Sequence, residues 1–412
     1  MDMTADGGTT VDEAFRAKVA AFLEANCKPI PPKQTGWGVG SDQLVAQDES
    51  DEEERQHFEH ARQYRRALAD AGLAWITGPV EHGGAGLTGA HERVFAEMAG
   101  AYEVPDHVCF IVGLHIVAPT IEWYGTDAAK AAYLAGLYSG DVIGCQLFSE
   151  PDAGSDLAGV KTRGVRDGDG WRITGQKVWT SGAHHSDIGE VLVRTDPDAP
   201  KHRGLTMMLV DMHAPGVTVR PLRQLTGGSE FNEVFLDDVF VGPDGVLGAE
   251  GQGWAVANAT LGSERQSMGS RDDAENDPTL RLIQLAQHFD LSGDPVVRQR
   301  LANLHVMGEI IRYTTKRLGD LAAANSPTLT GSETALIKLM MTNKMRETVD
   351  VSGELLGPRL IADTREWGTY AWAAFALLMP SFRIAGGTDE IMRNVIGERI
   401  LGLPREPRPD AK

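Results

Sequence analysis

Apolar residues recur at helical spacing through the first third of the chain. In EAFRAKVAAFLEANC, Phe15, Val19, Phe22 and Leu23 fall on one stripe, and QYRRALADAGLAW repeats the pattern with Tyr64, Leu68 and Leu73, a spacing of three and four that predicts amphipathic helices. Proline and glycine punctuate these runs, and PVEHGGAGLTG, Pro79 to Gly89, reads as a loop. From about Asp141 the period changes. GWRITGQKVWTSG, IGEVLVRTD, LTMMLVDM, VTVRPL and NEVFLDDVFV are short β-branched runs between clusters of Gly, Pro, Asp and His, the pattern of an antiparallel sandwich or barrel. After GAEGQGW helical periodicity returns and lasts to about Leu401, where Gly402 and Pro404 stop it. The expected fold class is therefore α+β, with an N-terminal α-helical domain over 1–140, a β domain over 141–248 and a C-terminal α-helical domain over 249–412.

Length and composition agree with several packing units, since 412 residues with 42% hydrophobic content exceed what one core usually holds. A net charge of −19 argues against nucleic acid or an anionic membrane as the main partner, because both call for clustered Lys and Arg. No run of about 18 apolar residues occurs, and the start MDMTADGGTTVDEAF lacks a basic region followed by an apolar one, so neither a membrane span nor export is expected. Cys27, Cys109 and Cys145 are too widely spaced for a disulfide or metal framework, which reads as a reducing cytoplasm. There is no internal repeat. The run DESDEEER, Asp48 to Arg55, reads as a solvated loop and helix start without a function.

Four segments can carry chemistry. In GWAVANATLGSERQSMGS, Gly253 to Ser270, a helix puts Ala257, Leu261, Glu264 and Met268 on one face. Glu264 is the lone carboxylate there: an exposed or ion-paired structural residue, or, if buried, a base with its pKa raised toward neutrality. QLFSEPDAGSDLAG, Gln146 to Gly159, is a Pro/Gly turn that can bring backbone N–H groups and the hydroxyls of Ser149 and Ser155 to a ligand. KVWTSGAHH, Lys177 to His185, supplies Trp179 and Ser181, which in a regular strand point the same way and could serve a planar cofactor, unless the Trp is plain core. His184 and His185 lack further ligands at suitable spacing, so no metal is expected. In SFRIAGGTDEIMRN, Ser381 to Asn394, the pair Gly386 and Gly387 leads into a helix with Thr388 as N-cap, Asp389 and Glu390 at its positive end, and Ile391, Val395, Ile396 and Ile400 as a buried stripe. Such a turn permits close approach of the backbone to a ligand, or is a simple loop entering a helix.

Taken together, ALADAGLAWITGPVEHGGAGLT, CQLFSEPDAGSDLAGVKTR, WRITGQKVWTSGAHHSD, FNEVFLDDVFV, GAEGQGW and GGTDEIMRNVIGERILGLPRE resemble, in order and over nearly the whole chain, the acyl-CoA dehydrogenase family. The resemblance implies an α-helical domain, a central β domain and a C-terminal four-helix bundle, with FAD as cofactor, an acyl-CoA thioester as substrate and an electron-transferring flavoprotein as acceptor. It implies that Phe148, Ser149, Gly154 and Ser155 line the flavin and the thioester arm, that Trp179 packs on the flavin ring and Ser181 bonds near its N5, and that Thr388 and Glu390 lie near the rest of the cofactor. In many members the base is a Glu just before the Gly-Thr of the last motif; here that position is Gly386, whose N–H can serve the thioester carbonyl. A subset acting on branched or long acyl chains carries its Glu on the first helix after the β domain, directly before an Arg, as Glu264 and Arg265 stand here.

The chain departs from the family in Leu285 to Leu304, which lacks the Arg and Phe-Gly pair of many members, and in the shortened ELLGPRLIAD, Glu354 to Asp363. The implied assembly is thus either a homo-oligomer, dimer or tetramer, or an α2β2 heteromer in which subunits share sites. An oxidase or a tailoring enzyme on the same fold, and a non-catalytic subunit, are the alternatives.

Overall fold

The computed structural model describes residues 13–30, 37–45, 51–105, 108–269, 277–324, 329 and 332–405. The chain packs as two compact units, one of residues 1–33, 49–223 and 229–260, the other of 34–48, 224–228 and 261–412.

The first unit opens with α1 (Glu13–Asn26), the short β1 (Lys28–Pro29), α2 (Asp51–Asp70), α3 (Gly89–Ala99) and β2 (Tyr102–Glu103), followed by α4 (Val108–Val112), α5 (Ala118–Tyr124) and α6 (Asp127–Ser139). The α1 stripe is buried as its spacing predicts: Phe15, Val19, Phe22 and Leu23 pack with Tyr64 and Leu68 of α2 and Val94 of α3. Thr126 caps α6 by accepting from Ala129 N at 3.1 Å.

The β strands follow: β3 (Gly144–Leu147), β4 (Arg163–Asp167), β5 (Gly170–Ser181), β6 (Ile188–Arg194), β7 (Leu205–Asp211), β8 (Val217–Leu222), β9 (Phe231–Val241) and β10 (Val246–Leu247). They form one sheet of order β10-β7-β6-β4-β5-β9-β8, with β3 parallel to β6. The two wings of this sheet are joined by a single parallel pair, Arg163 of β4 with Arg194 of β6. Val191, Met208 and Val210 of one wing and Trp171, Ile173, Val234 and Val239 of the other nevertheless share one buried core, as the faces of a sandwich do.

Helix α7 (Gly253–Gly269) starts in the first unit and ends in the second. The second unit continues with α8 (Pro278–His288), α9 (Pro295–Ala323), α10 (Thr334–Leu356), α11 (Ala371–Phe382) and α12 (Asp389–Val395). Leu282 and Leu285 of α8, Leu301 and Leu304 of α9, Val351 and Leu355 of α10, and Trp372 and Phe375 of α11 form its core. The segment 37–45 straps this bundle. Trp37 stacks on His288 with ring centroids 4.4 Å apart, Trp367 Nε1 donates to Gly40 O at 2.8 Å, and Asp42 Oδ2 accepts from Gly368 N at 2.9 Å.

Candidate functional site

In the first unit the loop after β3 is clamped to β5. Val178 N donates to Ser149 O at 2.9 Å. Lys177, completely buried, points inward on the face of Trp171 and Ile173 and donates to Phe148 O, Glu150 Oε1 and Leu192 O at 3.0, 2.9 and 2.8 Å. Glu150 also accepts from the amides of Lys161 and Thr162 at 2.6 and 2.9 Å. Burial works against the Glu150 carboxylate, but Lys177 and these amides outweigh it and hold its pKa below the usual range. Burial likewise drags Lys177 down to about 8 against the pull of Glu150.

This clamp sets Phe148 and Ser149 beside the strand that carries Trp179 and Ser181. The Phe148 ring is itself buried. Beyond it the chain turns tightly, with Glu150 and Ala153 exchanging both backbone bonds at 3.0 Å, and exposes Gly154 and Ser155.

The regular strand expected to carry Trp179 and Ser181 is interrupted by a bulge just before Thr180. The β5–β9 register shifts between Lys177 and Thr180, and Trp179 takes up the extra residue at φ +62°, the left-handed region that bulky side chains rarely enter. The bulge turns Trp179 out of the core, 62% exposed, while Thr180 goes in. A strained, outward-facing indole fits the contact surface of a planar ring, and in that respect the residues present fit a flavin.

The second unit holds the other predicted residues. Gly386 and Gly387 have φ of +63° and +94°, so both positions need glycine. Thr388 caps α12 as predicted, accepting from Ile391 N at 3.2 Å, and Glu390 is exposed. The predicted stripe is corrected: Ile391, Val395, Ile396 and Ile400 are only partly covered, and the buried positions are Asp389 and Met392. The reason is twofold. A π turn over Ile396–Ile400 breaks the 3.6-residue period, and Asp389 is drawn in by partners. It accepts from Arg383 Nε and Thr342 Oγ1 at 2.7 and 2.8 Å, and Lys338 Nζ donates to Gly387 O at 2.6 Å. Burial opposes the Asp389 charge, yet Arg383, Thr342 and Lys338 keep its pKa below the ordinary carboxylate value. Glu264 and Arg265 lie on α7 as expected, but their side chains fall outside the described residues.

Two features were missed by sequence reasoning. Glu190 on β6 is fully buried and accepts from Thr260 Oγ1 at 3.0 Å; burial pushes its pKa up to about 8 against the Thr260 and Thr120 hydroxyls. A single carboxylate inside the otherwise apolar run IGEVLV is the one available signal. The expectation that His184 and His185 lack a further ligand is also corrected, since α2 brings Glu54 to both, 3.6 Å from His184 Nε2 and 3.1 Å from His185 Nε2. Burial and the neighbouring His185 lower the His184 pKa.

Three family models match: acyl-CoA dehydrogenase N-terminal domain over 41–141, middle domain over 145–239 and C-terminal domain over 251–401. The chain is 37% identical over 399 residues to acyl-CoA dehydrogenase IpdE1 of Mycobacterium tuberculosis, covering 96% of this chain and 99% of that protein. It is 39% identical to acyl-CoA dehydrogenase FadE34 of the same organism over 82% of this chain and 46% of that one. Among solved structures it is similar to the Tcur3481-Tcur3483 steroid ACAD, with TM-score 0.73 and 25% identity over 98% of this chain and 100% of that chain. It is similar too to the ChsE4-ChsE5 complex from Mycobacterium tuberculosis, with TM-score 0.70 and 25% identity over the same shares. Motif order, fold and relatives agree, and the chain belongs to the acyl-CoA dehydrogenase family.

Proposed function

We propose that the protein performs FAD-dependent α,β-dehydrogenation of an acyl-CoA thioester whose acyl group is branched, long or bulky, ring-bearing groups included. The observation that carries this reading is the Gly386–Gly387 turn. Both residues are left-handed, no carboxylate stands where many relatives hold their base, and Glu264 sits on the first helix after the sheet. The relatives titled steroid ACAD support the bulky acyl group.

The α-hydrogen of a thioester is a weak acid, so the carbonyl oxygen needs donors that strengthen as negative charge develops on it. The Gly386 N–H fills that role, and the Glu264 carboxylate takes the α-proton. The chemistry FAD supplies when bound is acceptance of the β-hydride at N5, which no side chain offers. Trp179 and Ser181 hold the flavin ring, with Phe148, Ser149, Gly154 and Ser155 along the segment beside it. Thr388 and Glu390 serve the remainder of the cofactor, and Ser155 and Arg265 the CoA arm. Electrons leave to an electron-transferring flavoprotein.

A second reading, a subunit that completes its site only within an α2β2 heteromer, is favoured by the missing motif in Leu285 to Leu304 and by the relatives solved as two-component assemblies. One experiment separates the two. Purified protein is titrated anaerobically with straight, branched and ring-bearing acyl-CoAs while its visible spectrum is followed. Bleaching of flavin colour by the bulky class, lost in Glu264→Gln with the colour retained, is the expected result. Turnover that survives Glu264→Gln sinks the base assignment, and a folded but colourless protein favours the heteromer.

A further inference from the structure

Three electron-rich atoms converge where the first turn of α2 meets the end of β5. Glu54 Oε1 lies 3.1 Å from His185 Nε2 and 3.6 Å from His184 Nε2, and all three atoms fall within 4.8 Å of one another. Ligands bound tetrahedrally at 2.0–2.2 Å from one ion are separated by about 3.3–3.6 Å. The 3.6 Å separation already suits such a site, the 3.1 Å one is a few tenths of an ångström short of it, and small side-chain rotations bring the set into range.

The surroundings fix the rings. Asn232, fully buried, donates through Nδ2 to Thr180 O and Glu230 O, each at 3.1 Å. Its Oδ1 is thereby turned to His184 Nδ1 at 3.2 Å, which must carry the proton. In the neutral ring the lone pair is then on Nε2, on the side of the Glu54 carboxylate 3.6 Å away, an arrangement of two acceptors that a cation between them would satisfy. An amide oxygen behind a ligating imidazole is the outer support that metal-bound histidines carry. His185 is held by its stack on Phe58, at 5.2 Å and 9° between planes, and Phe58 stacks in turn on Phe110 at 5.6 Å. The three side chains stay a quarter to a third exposed, which gives an ion a way in and leaves a position for water.

We propose that Glu54, His184 and His185 form a binding site for a divalent transition-metal ion of the zinc class, with water as fourth ligand. Imidazole and carboxylate donors suit that class. Such an ion ties α2 to the strand end three residues beyond Ser181 and so braces the bulge that presents Trp179. Its role is structural.

The test is a cobalt(II) titration of untagged, chelator-treated protein at pH 7.5, followed by zinc displacement, beside Glu54→Gln and His184→Gln. The proposal expects one equivalent of Co2+ with the intense visible bands of a tetrahedral site, loss of those bands on adding zinc, and at least tenfold weaker binding in each variant. A zinc-dependent rise in melting temperature should appear in the native protein and vanish in both variants. Absence of tetrahedral bands, or equal binding by native protein and variants, overturns the proposal and leaves a plain His–Glu ion pair.

Discussion

Replacing Lys177 by Met keeps the length of the side chain and removes its charge. Three acceptors then lose a buried donor: Glu150 Oε1, Phe148 O and Leu192 O. Removing one partner of a buried ion pair costs about 3–5 kcal/mol, and each orphaned carbonyl about 1–3 kcal/mol. The carboxylate keeps its amide bonds from Lys161 and Thr162, and the Met side chain returns about 1.5–3 kcal/mol of burial. With each carbonyl taken at the low end of about 1 kcal/mol, the net expectation is a loss of about 2–5 kcal/mol. For a unit of this size each kcal/mol moves the melting temperature by about 2–4 °C, so differential scanning calorimetry should show a fall of about 4–20 °C. The double variant Lys177→Met/Glu150→Met removes the stranded carboxylate and should recover a substantial part of that loss. If the single variant melts within 2 °C of the native protein, or the double variant is no more stable than the single one, the clamp does not hold the loop as argued.

Three further outcomes are expected. Glu190, raised to about 8 by burial, keeps its proton in the folded chain where the unfolded chain has lost it, so its contribution is full below about pH 4.5 and drains away as pH rises toward 8. Denaturant titrations at pH 5.5 and 8 should show the native protein losing about 3 kcal/mol more than Glu190→Gln; parallel losses would contradict the assignment. Asp389→Asn leaves Arg383 and Lys338 without their counter-charge and should cost about 2–4 kcal/mol, and because the native carboxylate is held below its usual pKa, the gap between native and variant should shrink on acidification through that depressed pKa. Gly387→Ala forces an L side chain to φ +94° and should destabilise by about 1–3 kcal/mol, with reductive bleaching by acyl-CoA weakened in parallel; an unchanged spectrum and melt would show the turn to be tolerant.

The helical stripe of α1, the β run and the Thr388 cap were legible because each is a local pattern: one period, or one side chain bonding three residues ahead. What was not legible depends on partners far along the chain. Lys177 reads as an ordinary strand lysine until Glu150, 27 positions earlier, folds against it. Asp389 reads as a residue suited to a helix N-terminus, and its burial follows from Lys338 and Thr342 on another helix. The Trp179 bulge is set by a register shift against β9, which no alternation within β5 reveals. Glu54 reads as one charge in an acidic run, yet its partner His185 stands 131 residues away.

The strap over the helical bundle bears on the order of events during synthesis. Trp367 donates to the carbonyl of Gly40, a contact 327 residues apart. At about 5–20 residues per second the ribosome takes about 16–65 s to supply that partner. Until His288 and Phe289 emerge, Trp37 lacks its ring partners, and the bundle core against which Leu44 and Val45 also pack is complete only once Trp372 and Phe375 follow. Closure of the second unit therefore waits for its last core helix, and the emerging strap is a segment that a chaperone would find early.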